Sequence, residues 1–111
     1  MLDNEFNEIV EKRINLIRRV LSNKAKEYAS AEDRLHNFKA AAQIDEETPA
    51  KALWGMLKKH LVSVMDLIND ENCVVDNADL YKEKIEEKIG DSINYFILLE
   101  AILKEGLSEK I

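Results

Sequence analysis

The chain has 111 residues, 46% hydrophobic and 34% charged, with only 3 Gly and 1 Pro. That mixture excludes a disordered chain, and the length suits one compact, mostly helical domain over residues 1–111. Sixteen basic against 22 acidic residues give a net charge of −6, which argues against nucleic acid as a partner, since phosphate-backbone binding needs a concentrated basic surface.

Cys73 is the only cysteine, so neither an intramolecular disulfide nor a cysteine metal knuckle is available. No run approaches the roughly 18 apolar residues of a membrane span. The acidic, amphipathic start MLDNEFNEIVEKR lacks the basic-then-apolar pattern of a signal peptide. The expectation is a soluble, cytoplasmic protein without a membrane partner. Strands are not expected, because no stretch alternates with period two between turn signals.

In chain order, Leu2, Phe6, Ile9, Val10, Ile14, Ile17 and Leu21 recur at helical spacing and predict a first helix from about Asp3 to Tyr28, capped by Asp3 or Asn4. The pattern changes around Tyr28 to Ser30, and Ser30 with Asp33 has the spacing of a capping box. A shorter helix, or a kinked continuation, then covers Ala31 to Gln43 with Leu35 and Phe38 inward. The segment Asp45-Glu46-Glu47-Thr48-Pro49 is the clearest boundary, with Thr48 a good N-cap and Pro49 suited to the first helical position. The third helix runs from Pro49 to about Asn69, with Leu53, Trp54, Leu57, Leu61, Val64, Met65 and Ile68 as its apolar face. After a loop holding Cys73, Asp76 or Asn77 caps a last helix that ends near Glu105, with Gly106 as its stop. The sum is an all-α bundle of three long helices and one short one.

Three polar groups can carry chemistry. Glu87, Asp91 and Asn94 lie at i, i+4 and i+7, on one stripe of a helix that is apolar on nearly every side from Ile93 onward. Buried acids must be paired, solvated or bound to a cation, and two carboxylates one turn apart can share a magnesium ion. The ordinary alternative is pairing with Lys84, Lys88 or a neighbouring helix. A second stripe, Met56, Lys59, Ser63, Asp66 and Asp70, would bring Asp66 toward Glu87 or Asp91 if the third and fourth helices pack antiparallel. Lys59 would then reach a phosphate, or join a structural ion-pair network. The third group is Lys26, Tyr28, Asp33, Arg34, His36 and Asn37, which suits a nucleotide or a solvated helix end. His36 and His60 lack a neighbouring acid at a telling spacing and read as surface or packing residues, and Trp54 and Phe38 read as core.

The order Lys-x-Lys-x-Tyr…Asp-Arg-x-x-Asn-Phe (Lys24/Lys26 to Phe38), Ala-Leu-Trp-Gly-Met-x-x-Lys-His-x-Val-Ser-x-x-Asp (Ala52 to Asp66) and Glu-Lys-Ile-Gly-Asp-x-Ile-Asn-Tyr (Glu87 to Tyr95) resembles small phage and prophage helical proteins. These are similar to the all-α nucleoside triphosphate pyrophosphohydrolases, the MazG-like superfamily that includes dimeric dUTPases. The resemblance covers roughly Lys24 to Glu105. It implies a four-helix core completed as a homodimer or homotetramer, and a nucleotide ligand. It further implies magnesium or manganese held by acids on adjacent helices, with hydrolysis between the α- and β-phosphates in the service of nucleotide pools. Carried over, Glu87 and Asp91 are the catalytic pair and, with Asp66, the metal ligands. Lys26, Arg34, Asn37, Lys59 and Asn94 are the substrate-binding set. The chain departs from the family at two points. Lys58-Lys59-His60 stand where a Glu-Glu-x-x-Glu motif is usual, and Glu87 and Asp91 are one residue further apart than in Glu-x-x-Asp. A catalytically inactive helical oligomer serving as a protein-interaction module is the alternative these departures leave.

Overall fold

The computed structural model describes residues 1–24, 33–70 and 77–109, which form an all-α fold of four helices with no strand among them. Helix α1 (Asp3–Arg18) runs on into a wider π-helical segment (Arg19–Lys24), followed by α2 (His36–Asp45), α3 (Pro49–Asn69) and α4 (Ala78–Glu109). No helix among the described residues is long and apolar enough to cross a membrane.

The best-defined boundary is the one between α2 and α3. Glu46 adopts left-handed backbone at φ 53°, and the Glu47 amide returns to the Ala42 carbonyl at 2.9 Å, satisfying an orphan acceptor at the end of α2. Thr48 then caps α3, its hydroxyl accepting from the Lys51 amide at 3.2 Å, with Pro49 following at the first helical position. At the start of α4 the cap is Asn77, whose side-chain oxygen accepts from the Leu80 amide at 3.0 Å.

Helices α3 and α4 pack antiparallel. Near the connection, the Tyr81 hydroxyl donates at 3.2 Å to the Leu67 carbonyl at the end of α3, which also accepts from the Asp70 amide at 3.3 Å. Midway the His60 ring lies 4.6 Å from that of Tyr95, and at the far end Leu53 and Ile102 share a core with Leu35, Phe38 and Leu57. Leu35, Phe38 and Ala42 turn α2 onto this hairpin. Helix α1 lies along α4, and none of its residues is buried.

Several expected boundaries and faces are corrected. The first helix is not capped by Asp3 or Asn4. It begins after Leu2, whose amide is taken by the Glu5 carboxylate at 2.9 Å, and the extension to Tyr28 lies outside the described residues. The second helix starts at His36, because Asp33 accepts from the Leu35 amide at 2.9 Å and holds a turn before it. Ser30 and Ala31 lie outside the described residues. Helix α4 continues through Gly106 to Glu109. No described glycine has positive φ, so Gly106 sits inside the helix, at a cost of only about 1 kcal/mol relative to alanine. Finally, Trp54, Met65 and Ile68 are not core residues. They are 45%, 60% and 72% exposed, whereas Leu53 and Leu57 are fully buried.

Candidate functional site

The stripe at the middle of α4 descends from solvent into the core. Glu87 is exposed, with its carboxylate 3.5 Å from the Lys88 ammonium. One turn on, Asp91 is half-exposed, and its Oδ2 lies 3.7 Å from His60 Nδ1 on α3. Asn94 is buried, and its Oδ1 is enclosed with no hydrogen-bond donor among the described residues. An unsatisfied buried acceptor costs about 1–3 kcal/mol, so Asn94 is a local violation of ordinary core chemistry.

An aromatic ladder supports the Asp91 side of this stripe. Phe38 meets Tyr95 edge-on at 6.1 Å, with the rings at 78°. Tyr95 in turn carries the tilted His60 ring, which reaches Asp91. The antiparallel register of α3 and α4 thus holds a histidine, anchored to the core through tyrosine, against a surface carboxylate.

The remaining expected site residues are scattered. Asp66 is exposed on α3 and does not join Glu87 and Asp91, since no three His, Cys, Asp or Glu side chains among the described residues group as a metal site. Lys59 is exposed, and its carbonyl accepts from the Ser63 hydroxyl at 3.2 Å. The Arg34 guanidinium donates to the Leu21 carbonyl, tying the end of the first helical run to the turn before α2. Asn37 stands exposed in the first turn of α2, and Lys26 and Tyr28 lie outside the described residues.

The donor set can be compared with what a hard cation needs. Magnesium is commonly held by one or two carboxylates, its other ligands being water and substrate phosphates. Glu87 and Asp91, one helical turn apart, match that number of carboxylates, and the enclosed Asn94 oxygen, which has no donor among the described residues, lies on the same stripe. They do not fit two or three protein-held ions, because Asp66 stands apart.

Two polar arrangements were not foreseen. One is the pairing of His60 with Asp91, 31 positions away, for which no local spacing could be a signal. The other is Lys39, whose ammonium bridges Asp33 at 2.7 Å and Glu105 at 2.5 Å. The two carboxylates raise the Lys39 pKa above the ordinary lysine value. The Lys39 hydrogen bond, followed by that of the Leu35 amide, lowers the pKa of Asp33. This clamp fastens α2 to α4, beside an apolar groove of about 810 Å³ that also includes Pro49 and Ile102. No protein-family model matches the chain, and neither do any of the curated proteins or solved structures compared with it.

Proposed function

We propose that the protein binds a nucleoside triphosphate as its magnesium complex along the Glu87–Asp91–Asn94 flank of α4, and that it is a pyrophosphohydrolase of the MazG-like type acting on nucleotide pools. The supporting observation is the enclosed, unpartnered Oδ1 of Asn94 on the same stripe as two carboxylates. A bound cation would neutralise phosphate charge and help position a water molecule for attack on phosphorus. Glu87 and Asp91 hold that cation in this reading, and His60, braced by Tyr95, stands beside the Asp91 carboxylate. Lys59 is an exposed cation available to phosphate oxygens, whereas Arg34 is engaged with the Leu21 carbonyl.

Incubation of the pure protein with a panel of (d)NTPs and magnesium, followed by pyrophosphate release and thermal shift, tests this reading. Turnover, or a nucleotide-dependent shift, is expected, and Asp91→Ala removes it while leaving the helical circular dichroism intact. Asn94→Leu is the sharper variant. Replacing a buried amide whose oxygen lacks a donor with an apolar group of similar shape is expected to cost the free protein little, yet to remove the nucleotide response. Neither turnover nor any shift with wild type would sink the proposal.

A second reading, a non-enzymatic helical interaction module, is favoured by the Glu87–Lys88 contact and by Asp66 standing apart from Glu87 and Asp91. On that reading no nucleotide changes stability, and Asp91→Ala is silent in every nucleotide assay.

A further inference from the structure

Helix α4 carries a glycine in its interior, where glycine weakens a helix relative to alanine. Gly90 is buried, and the space of its absent side chain is taken by Arg13 of α1. A Cβ at this position would stand 2.5 Å from Arg13 Nη1, while Arg13 Nη2 donates to the Glu86 carbonyl at 3.1 Å. The glycine thus admits a guanidinium to the α4 backbone. Arg13 forms no ion pair with a carboxylate of the described residues, and the Glu86 carboxylate beside it is taken by Lys12 at 2.5 Å. Being half-buried, its charge is partly withdrawn from water with no counter-ion in place.

This cation stands next to the carboxylate stripe. Gly90 faces α1 through Arg13, and Asp91 faces α3 through His60. At about 100° per residue, Asn94 and Glu87 lie roughly 40° and 60° round α4 from Gly90, between those two directions. The stripe is therefore flanked by the guanidinium on one side and by His60 on the other. Asn94, whose enclosed oxygen has no donor among the described residues, lies one turn beyond Gly90 on the same side of the helix.

Given the nucleotide reading of this stripe, we infer that Arg13 holds the phosphate chain of the ligand, and that binding there draws α1 onto α4. Two carboxylates and a triphosphate repel one another, the chain as a whole carries −6, and one divalent cation offsets only part of that charge. A guanidinium beside the stripe supplies the remaining attraction. Arginine presents its N–H donors in a planar fork that suits phosphate oxygens, and the Glu86 carbonyl accepts one of them. Helix α1 has no fully buried residue, so its seat on α4 is weak, and a ligand held by both helices strengthens it. The phosphate site is in this way also a control on the position of the N-terminal helix.

Magnesium tripolyphosphate, which carries the phosphate chain without a nucleoside, is the probe. Added to the whole protein, it is expected to bind in calorimetry and to slow amide exchange in α1 severalfold. Arg13→Gln weakens binding at least about tenfold and abolishes the slowing. Arg13→Lys restores part of both, because it keeps the charge but not the fork. Gly90→Ala, which displaces the guanidinium without removing it, falls between. Lys12→Gln is the control for a merely structural role. It removes the ion pair with Glu86 and speeds α1 exchange in the free protein, yet leaves the affinity within about threefold of wild type. An Arg13→Gln variant that binds as tightly as wild type, or loses no more than Lys12→Gln, overturns the inference and leaves the nucleotide reading standing. So does a wild type that responds to nucleotide but not to tripolyphosphate. A wild type that responds to neither sinks both.

Discussion

Helices α1 and α2 both pack on the α3–α4 hairpin, but they are held by opposite means. Helix α2 buries Leu35, Phe38 and Ala42 at its junction with α3 and α4, and the Lys39 clamp to Asp33 and Glu105 lies beside that apolar contact. Helix α1 has no fully buried residue, and its apolar Ile14, Leu16 and Ile17 are only half-buried. Its hold on α4 includes the Lys12–Glu86 ion pair at 2.5 Å and the Arg13 guanidinium, which donates to the Glu86 carbonyl at 3.1 Å and lies over Gly90. Apolar burial is insensitive to salt and grows with area, whereas exposed ion pairs contribute little and are screened. The contrast makes α2 part of the folded core and α1 a polar latch on its surface.

The largest effect expected from breaking this contrast is at Phe38. Phe38→Ala removes the ring that packs on Tyr95 and lowers stability by about 3–5 kcal/mol in urea unfolding. A loss below about 1 kcal/mol would mean that α2 is no better anchored than α1.

The clamp comes next, and its signature is pH. Asp33 has a lowered folded pKa, so its contribution is present above the ordinary aspartate value of about 3.9 and is lost as pH falls through the lowered one. Lys39 has a raised pKa, so its contribution is complete below about 10.4 and is lost as pH rises through the raised value. Lys39→Met should therefore lower stability across neutral pH and flatten both limbs of the pH–stability curve. Unchanged limbs in the variant would show that the clamp is not the source.

A smaller effect separates the two helices directly. Raising NaCl from about 0.05 to about 1 M should speed amide exchange in α1 and leave α2 protected, because the latch is screened and the apolar contact is not. Equal acceleration in both helices would erase the distinction. The smallest effect belongs to Gly90→Ala. The new Cβ would sit 2.5 Å from Arg13 Nη1, but that atom is the mobile end of a long side chain. Its displacement is offset by the roughly 1 kcal/mol gain in helix propensity. Global stability should move by less than about 1 kcal/mol while α1 exchanges faster.

Local signals were legible where one residue's chemistry settles a backbone choice. Thr48 and Pro49 start α3, and Asn77 caps α4, because each satisfies or removes an amide that the first helical turn leaves unpaired. Gly106 misled because glycine ends a helix only when its backbone turns left-handed, and here α4 continues past it with Ile102 in the core. Trp54, Met65 and Ile68 misled for a different reason. Periodicity reports that a helix has an apolar face, not whether the chain supplies anything to cover it. The carboxylate stripe was legible as a stripe, since Glu87, Asp91 and Asn94 share a face by spacing alone. Its gradient from exposed Glu87 to enclosed Asn94 was not.

The amino-acid order by itself determined the all-α class, the α2–α3 boundary, the N-cap of α4 and the polar stripe on that helix. All of these depend on contacts within a few residues, where helix geometry dictates neighbours. Only the tertiary structure decided that His60 rests on Tyr95 and faces Asp91, that Asp66 does not group with Glu87 and Asp91 among the described residues, that the Asn94 oxygen is enclosed with no donor among them, and that Trp54, Met65 and Ile68 are exposed. Each depends on the register and rotation at which two helices pack. Side-chain packing and chain topology set these together, and no single stretch of sequence carries them.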